Sequence, residues 1–473
     1  MQNLQNHSPL LLRMLTVLGT IAALAGPLSG PLSGATDQPN VLLIVADDLG
    51  AADLGVLGSS DLRTPNLDQL YADSLRLNQC YANSPVCSPT RAALMTGCYP
   101  DRVGVPGVIR TDENNSWGYF LPFDKTLPSV LQDQGYETHA VGKWHLGLRE
   151  ENHPLSHGFQ SFQGFLGDMM DDYNTHRRHG NNYMREDRAE IKPTGHATDL
   201  FSDWAVDFIN NKANKRYPKP WFLYLAYNAP HAPIQPPPAW LQQVQKRERG
   251  IDSKRAALVA LIEHMDAGIG RVLTALRESD QDQRTVIVFT SDNGGQIDLG
   301  ANNGRLRDGK GSMYEGGLRI PACIRVPASP AAGQATDALC STIDLLPTLA
   351  ELAGGVAPVG IDGVSLGPLL TNPNRLWPAR DVYFVRREGG VQFGGLTSQA
   401  VRKGRFKLVH NLPIQGFELF DLVEDPLETT NLLTRNPQQA HELLSLLQRH
   451  TQRGGQAAWQ KPVPEFWPVP NRR

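Results

Sequence analysis

Asn40-Val41-Leu42-Leu43-Ile44-Val45-Ala46-Asp47-Asp48-Leu49-Gly50 is the stretch on which the fold turns. Val41 to Val45 is a continuous apolar run of strand length, the pattern of a strand buried on both faces, and it stops abruptly at two carboxylates and a glycine. Similar runs recur at Thr138 to Val141, Trp221 to Ala226 and Val286 to Phe289. Before the last of them, Leu258, Leu261, Ile262, Met265, Ile269, Val272 and Leu273 repeat at spacings of three and four, which marks an amphipathic helix. Strands alternating with helices imply an α/β fold, a mostly parallel sheet sandwiched by helices. Ligands of such sheets gather beyond the carboxyl ends of the strands. Asp47 and Asp48 after the first run, and Asp292 and Asn293 after the fourth, are therefore the first candidates. They offer only oxygen, which suits a hard cation such as Ca²⁺ or Mg²⁺ and not zinc. An adjacent Asp pair is more often a turn feature; two clusters, each straight after an apolar strand, shift the balance toward a metal.

The rest of the chain frames this core. Its 473 residues allow two or three folding units, and 45 Lys and Arg against 48 Asp and Glu give a net charge of −3. That balance excludes a nucleic-acid binder held by bulk positive charge. Near the start, Arg13 precedes an apolar run from Met14 to Ala25 that ends in Ala23-Leu24-Ala25. The run is shorter than the roughly 20 residues a bilayer span needs, so residues 1–25 read as a signal peptide. The Gly/Pro/Ser-rich residues 26–38 read as a flexible spacer. The expectation is an exported chain, periplasmic or secreted, without stable membrane association. Residues 39–371 form the expected catalytic domain. Residues 372–473 form a smaller α+β subdomain with antiparallel strands at Val382 to Val385, Phe406 to Val409 and Phe417 to Phe420, and a helix from Gln438 to Leu447.

The five cysteines, at 80, 87, 98, 323 and 340, are too few for a disulfide scaffold and odd in number. Cys87 precedes Ser88-Pro89-Thr90-Arg91-Ala92-Ala93-Leu94-Met95-Thr96-Gly97. Ser88 is expected to cap a helix with Pro89 at its first position, which puts Cys87 where orphan amides favour negative charge and Arg91 on the same face. A lone cysteine in such a place is ordinarily a buried free thiol. Two phosphate-loop and nucleophile-elbow look-alikes, at Gly304 to Lys310 and Gly363 to Gly367, lack the preceding apolar strand those motifs need.

The Cys87 stretch resembles the signature of the type I sulfatases, Cys-x-Pro-x-Arg followed by a short segment ending Thr-Gly. Gly142-Lys143-Trp144-His145-Leu146-Gly147 is similar to the family's second signature. Asp47-Asp48-Leu49-Gly50, Thr64-Pro65-Asn66-Leu67-Asp68, His231-Ala232-Pro233, Gly309-Lys310 and Tyr314-Glu315-Gly316-Gly317 agree in order. The resemblance covers residues 40 to 432. It implies the alkaline phosphatase-like fold, with a large mixed sheet, and the kind of exported bacterial enzyme similar to arylsulfatase A and N-acetylgalactosamine-6-sulfatase.

In similar enzymes a maturation enzyme oxidises the cysteine to formylglycine, whose hydrate attacks sulfur; the resemblance implies this for Cys87. It implies a divalent cation, Ca²⁺ rather than Mg²⁺, held by Asp47, Asp48, Asp292, Asn293 and the oxygen at position 87. Arg91 would orient the nucleophile, Lys143 and Lys310 would bind sulfate oxygens, His145 would take a proton, and His231 with Lys310 would protonate the leaving alcohol. The polar loop holding His176, Arg177 and Arg178 is the candidate for substrate contact, with a carbohydrate sulfate ester as first expectation. Alternatives are an aryl sulfatase of broad specificity, a phosphodiester or phosphonate monoester hydrolase of the same superfamily, and a non-enzymatic metal-dependent anion- or glycan-binding protein. With Cys87 oxidised, four cysteines remain; three pairings are open, Cys323 with Cys340 among them.

Overall fold

The structure, a computed structural model, describes residues 38–455 except 113–114, 121–124, 214–218, 390–392 and 394. The expected signal peptide, all but the end of the spacer, and residues 456–473 lie outside the described residues.

All four apolar runs are strands: Asn40–Ala46, Glu137–Lys143, Trp221–Ala226 and Thr285–Ser291. They sit side by side and parallel at the centre of a ten-stranded sheet, with Asn40–Ala46 between Thr285–Ser291 and Trp221–Ala226. Ser161–Phe165 extends the parallel part, and Ala322–Arg325 pairs antiparallel beyond Thr285–Ser291, which makes the sheet mixed. Every residue of Asn40–Ala46 is buried, because both faces are covered. Val41, Leu43 and Val45 pack in a cluster with Ala92 and Met95 of the helix Cys87–Thr96, while Leu42, Ile44 and Ala46 pack on the other side against Leu261, Ile262 and Met265. Those last three belong to the long helix Ser253–Glu278, which contains the whole expected period.

Register does the positioning. Ala46 is aligned with Ser291 and Val45 with Ala226, which is itself aligned with Gly142. Asp47, Asp292 and Lys143 therefore emerge at one level at the sheet's carboxyl edge. The close approach at this edge requires glycine at 142: its φ is +100°, and a Cβ there would lie 1.9 Å from the Ala226 carbonyl oxygen.

The C-terminal sheet has four antiparallel strands, Asp381–Glu388, Leu396–Lys403, Phe406–His410 and Glu418–Asp421. The second of these is absent from the expectation, since Thr397, Ser398 and Gln399 dilute its apolar signal. The helix Pro437–Gly454 packs Leu443 and Leu447 against Val401, Leu408 and Leu419 on one face. On the other face Val382, Phe384 and Phe420 meet Met313, Tyr314 and Leu318. Within that junction Lys407 is fully buried and its Nζ lies 2.9 Å from both Glu315 Oε1 and Glu428 Oε1. Glu315 also accepts from the Tyr81 hydroxyl, and Glu428 from the Glu315 amide. None of the open cysteine pairings is formed, Cys323 with Cys340 included: Cys323 lies in the large sheet opposite Phe289, Cys340 pairs in register with Cys80 in a separate two-stranded sheet, and all five cysteines are buried free thiols.

Lys407→Met strips the only lysine from two buried glutamates. The loss expected is about 3–5 kcal/mol of stability, seen as a lower denaturation midpoint, as for other buried pairs with one partner removed. A variant as stable as the parent would show that the junction is held by apolar packing alone.

Candidate active site

Three carboxylates and three cations meet at the carboxyl edge of the sheet. Lys143 Nζ lies 2.6 Å from Asp47 Oδ2, Lys310 Nζ lies 2.6 Å from Asp48 Oδ2, and Arg91 forks onto Asp292 Oδ2 from Nε at 3.0 Å and Nη2 at 2.7 Å. Arg91 also reaches Asp47 Oδ1 at 3.6 Å and donates to the Lys143 carbonyl and the Tyr224 hydroxyl. All of these side chains are buried or nearly so. Burial pushes the Asp47 carboxyl up, but Lys143 first, then His231 and Arg91, outweigh it and hold it at about 2. Asp48 is likewise lowered by Lys310 against burial, whereas burial and the neighbouring Asp47 raise Asp292.

Ligating atoms of Asp47, Asp48, Cys87 and His231 lie within 4.8 Å of one another. Asn293 donates from Nδ2 to Asp48 Oδ1 at 2.7 Å, and the Asp48 amide donates to Asp292 Oδ1. Two buried oxygens in this group, Asp47 Oδ1 and Asn293 Oδ1, accept no hydrogen bond. Orphaned acceptors are costly unless something else meets them, and an all-oxygen cluster with two spare lone-pair sites fits a hard divalent cation. Asp48 adopts a φ of +67°, a strain that turns its carboxylate into the cluster.

Cys87 is the first residue of the helix Cys87–Thr96, with Val86 as its N-cap. This moves the expected start of the helix back by two residues, from Pro89 to Cys87. Ser88 does not cap, because its hydroxyl accepts from the Ile109 amide at 3.1 Å and so fastens the loop that covers the site. The Cys87 thiol points at Asp48 Oδ1, 3.9 Å away, and burial, with Asp292 and Asp47 nearby, keeps it protonated well above the normal thiol range.

The two histidines have fixed tautomers. His145 Nε2 lies 2.7 Å from the Ile109 carbonyl, so it donates there, and the buried Nδ1 is left as a bare acceptor. Burial, then Lys143 and Arg91, push this imidazole well below its ordinary value, so it is neutral. His231 donates from Nδ1 to the Ala232 carbonyl at 2.7 Å, which presents Nε2 to Lys310 Nζ at 3.0 Å. Burial and Lys310 lower its pKa too, while Asp48 keeps Lys310 charged. The Tyr173 hydroxyl, 2.7 Å from the Asn228 carbonyl and 2.9 Å from that of His231, braces this turn, a role with no motif to announce it.

Cys87, His145, His231 and Lys310 open onto a cavity of about 680 Å³. Of the three loop residues expected to meet substrate, Arg178 lines it, held by Asp168 at 3.0 Å and Asp171 at 2.8 Å. His176 is buried outside the lining with its Nε2 on the Gly195 carbonyl, and Arg177 is also outside it; the adjacent His179 lines it instead. Arg110, Arg386 and Phe393 complete another wall that no sequence motif marked.

The chain is similar to known proteins. The family model described as Sulfatase matches residues 39–356, and one described as N-sulphoglucosamine sulphohydrolase, C-terminal, matches 307–453. N-acetylgalactosamine-6-sulfatase of Homo sapiens is 35% identical over 71% of this chain and 66% of its own length. Arylsulfatase A of Bos taurus is 33% identical over 88% of this chain and 87% of its own. The crystal structure of Ps i-CgsB in complex with k-i-k-neocarrahexaose superposes with a TM-score of 0.79 at 32% identity, covering 90% of this chain and 95% of that one.

A cation that fills the oxygen cluster should stabilise the folded chain by mass action, by roughly 2.7 kcal/mol at a hundredfold excess over its dissociation constant. Thermal unfolding after chelation is expected to show a rise on adding Ca²⁺ that Asp47→Asn and Asp292→Asn largely abolish. An equal rise in those variants would place the ion elsewhere.

Proposed function

Because the chain belongs to the sulfatase family and is a sulfuric ester hydrolase, we propose that it hydrolyses sulfate monoesters of carbohydrates with position 87 working as formylglycine. Its relatives named for N-acetylgalactosamine-6-sulfatase activity, and the similar Ps i-CgsB solved with a neocarrahexaose, support a saccharide. The observation that carries the reading is the convergence of Asp47 and Asp48 on Cys87 and His231, the last two of which line the cavity. A sulfur nucleophile would have to be a thiolate, and this thiol is held protonated by burial among carboxylates. An aldehyde hydrate at the same position offers hydroxyl groups that need no negative charge of their own in the resting state.

One hydroxyl of the hydrate attacks sulfur and gives its proton to Asp48, the carboxylate that position 87 points at, while the sulfur–oxygen bond to the alcohol breaks. Lys310, charged and 3.0 Å from His231 Nε2, supplies the proton through or beside that imidazole. The second hydroxyl then gives its proton to His145 Nδ1, the C–O bond to sulfate breaks, and the aldehyde returns. Lys143 and Lys310 bind sulfate oxygens and stabilise the charge that develops on them. Asp47, Asp48, Asp292 and Asn293 would hold Ca²⁺, which supplies Lewis-acid polarisation of the sulfuryl group when bound. Arg91 holds Asp292 and Asp47 in place and keeps the three carboxylates tolerable in the absence of solvent. A maturation enzyme is the partner this chemistry requires, and export through the residues 1–25 leader is the route that fits the sequence. No helix among the described residues is long and apolar enough to cross a membrane.

Protein from a maturation-competent host is expected to carry an aldehyde at position 87 by peptide mass analysis and to favour sulfate over phosphate esters. Cys87→Ala should remove turnover while leaving the thermal transition intact. An unmodified thiol in a fully active enzyme would sink the mechanism.

The acid limb of kcat gives a second check. His145 must be neutral to accept a proton, and its lowered pKa means that protonation begins only well below pH 6.5. The rate should therefore not fall as pH drops from 7.5 to about 6.5, the ordinary imidazole value. A limb centred at or above 6.5 would exclude His145 as that base.

A further inference from the structure

We propose that the cavity wall contributed by the C-terminal sheet is a second anion subsite, which grips a sulfate or carboxylate substituent of the saccharide other than the ester being cleaved. The inference rests on the sulfatase reading above. Arg386, from the strand Asp381–Glu388, and Arg110, from the loop after the Cys87 helix, line the same cavity as Cys87 and Lys310. Both guanidiniums draw on a single carboxylate: Arg110 Nη2 lies 2.5 Å from Glu388 Oε2 and Arg386 Nε lies 2.8 Å from Glu388 Oε1. The Glu388 side chain is fully buried behind them, while the arginine side chains keep 15% and 13% of their surface. Asp112 also lines the cavity, so what distinguishes this wall is the pair of guanidiniums held side by side on one buried carboxylate.

The arginines are also held in place. Arg386 Nη1 donates to the Gly311 carbonyl at 3.1 Å, one residue beyond Lys310, and its Nη2 has no hydrogen-bond partner among the described residues. Arg110 donates from Nη1 to the Asn115 carbonyl at 3.1 Å. The Phe393 ring centroid lies 4.4 Å from the Arg110 guanidinium carbon and 5.7 Å from that of Arg386, so both cations lie over one aromatic ring. Guanidiniums fixed in this way lose little entropy when they fork onto an oxyanion.

The Arg178 wall is the internal contrast. Its guanidinium faces two carboxylates, Asp168 and Asp171, and has no charge to spare. That wall suits hydroxyl groups, and the Arg110–Arg386 wall suits an anion. A substrate with one anionic group beyond the scissile sulfate uses both.

The test compares kcat/KM of the matured enzyme on oligosaccharides that share the scissile ester. One has neutral neighbours, one carries an additional sulfate on the adjoining ring, and one carries a carboxylate there. The additional anion is expected to raise kcat/KM about tenfold, the scale of one charged hydrogen-bonded contact. The arm that gains identifies sulfate or carboxylate as the group bound. Arg386→Gln and Arg110→Gln, on separate elements, should each bring the ratio most of the way back toward one, with Arg386→Lys keeping part of it. Equal kcat/KM on charged and neutral substrates in the parent enzyme would overturn the subsite. So would a variant that slows all substrates alike, because that is the mark of lost support for Lys310 through Gly311. No turnover of any sulfate ester by enzyme carrying the aldehyde would instead overturn the sulfatase reading, and the subsite with it.

Discussion

Everything at the carboxyl edge of the sheet depends on the mutual neutralisation of Asp47, Asp48 and Asp292 by Arg91, Lys143 and Lys310. Any one of these ions alone in so dry a place would cost several kcal/mol, more than a folded chain can usually spare. Together they balance in number, and each carboxylate has a cation within 2.7 Å. The balance is also what makes the site receptive. Asp47 and Asn293 would offer their spare oxygens to a divalent cation, whose charge would offset the carboxylates and leave the two lysines to meet sulfate.

That arrangement holds only if the segment bearing Lys310 is fixed, and the C-terminal sheet fixes it from two directions. Arg386 grips the Gly311 carbonyl, and Lys407 anchors Glu315 at the start of the following helical turn. The close packing of the glycines in this segment shows how little freedom remains: a Cβ at Gly294 would come within 1.8 Å of the Gly316 carbonyl oxygen. The smaller sheet is therefore part of the site's rigidity, although it contributes none of the groups that meet the cation or the nucleophile.

What the sequence disclosed and what it concealed divide along a physical line. Asp47, Asp48, Asp292 and Asn293 were legible because each follows an unbroken apolar strand, and a parallel sheet brings strand ends together whatever the order of the strands. Cys87, Arg91, Lys143 and Lys310 were legible only through motif resemblance, since a lone lysine or cysteine carries no periodic signal. Arg110, Arg386, Glu388 and Phe393 were not legible, because they meet through the docking of a loop on a second sheet and are ordinary surface residues to any local pattern. His176 misled for the opposite reason. Its charged neighbours suggested exposure, but a φ of +57° and the Gly195 carbonyl turn it inward. Ser88 showed how a good cap residue is overridden when a tertiary amide competes for its hydroxyl.

The division also separates what can change from what cannot. Residues at the strand ends are set by register, and shifting any of them breaks a charge pair that the buried edge cannot leave open. The walls are set by loops and by the rim of the small sheet, where Arg178 is held by Asp168 and Asp171 and Arg110 and Arg386 share Glu388. Altering the Arg178 wall changes which neighbouring groups of a saccharide are welcome and leaves the contacts of Lys143 and Lys310 in place, whereas a change at Arg386 also frees the Gly311 carbonyl beside Lys310. A single scaffold can therefore keep one chemistry while its substrate varies, and the guanidiniums fixed on a wall are the groups to read when asking what else the substrate carries.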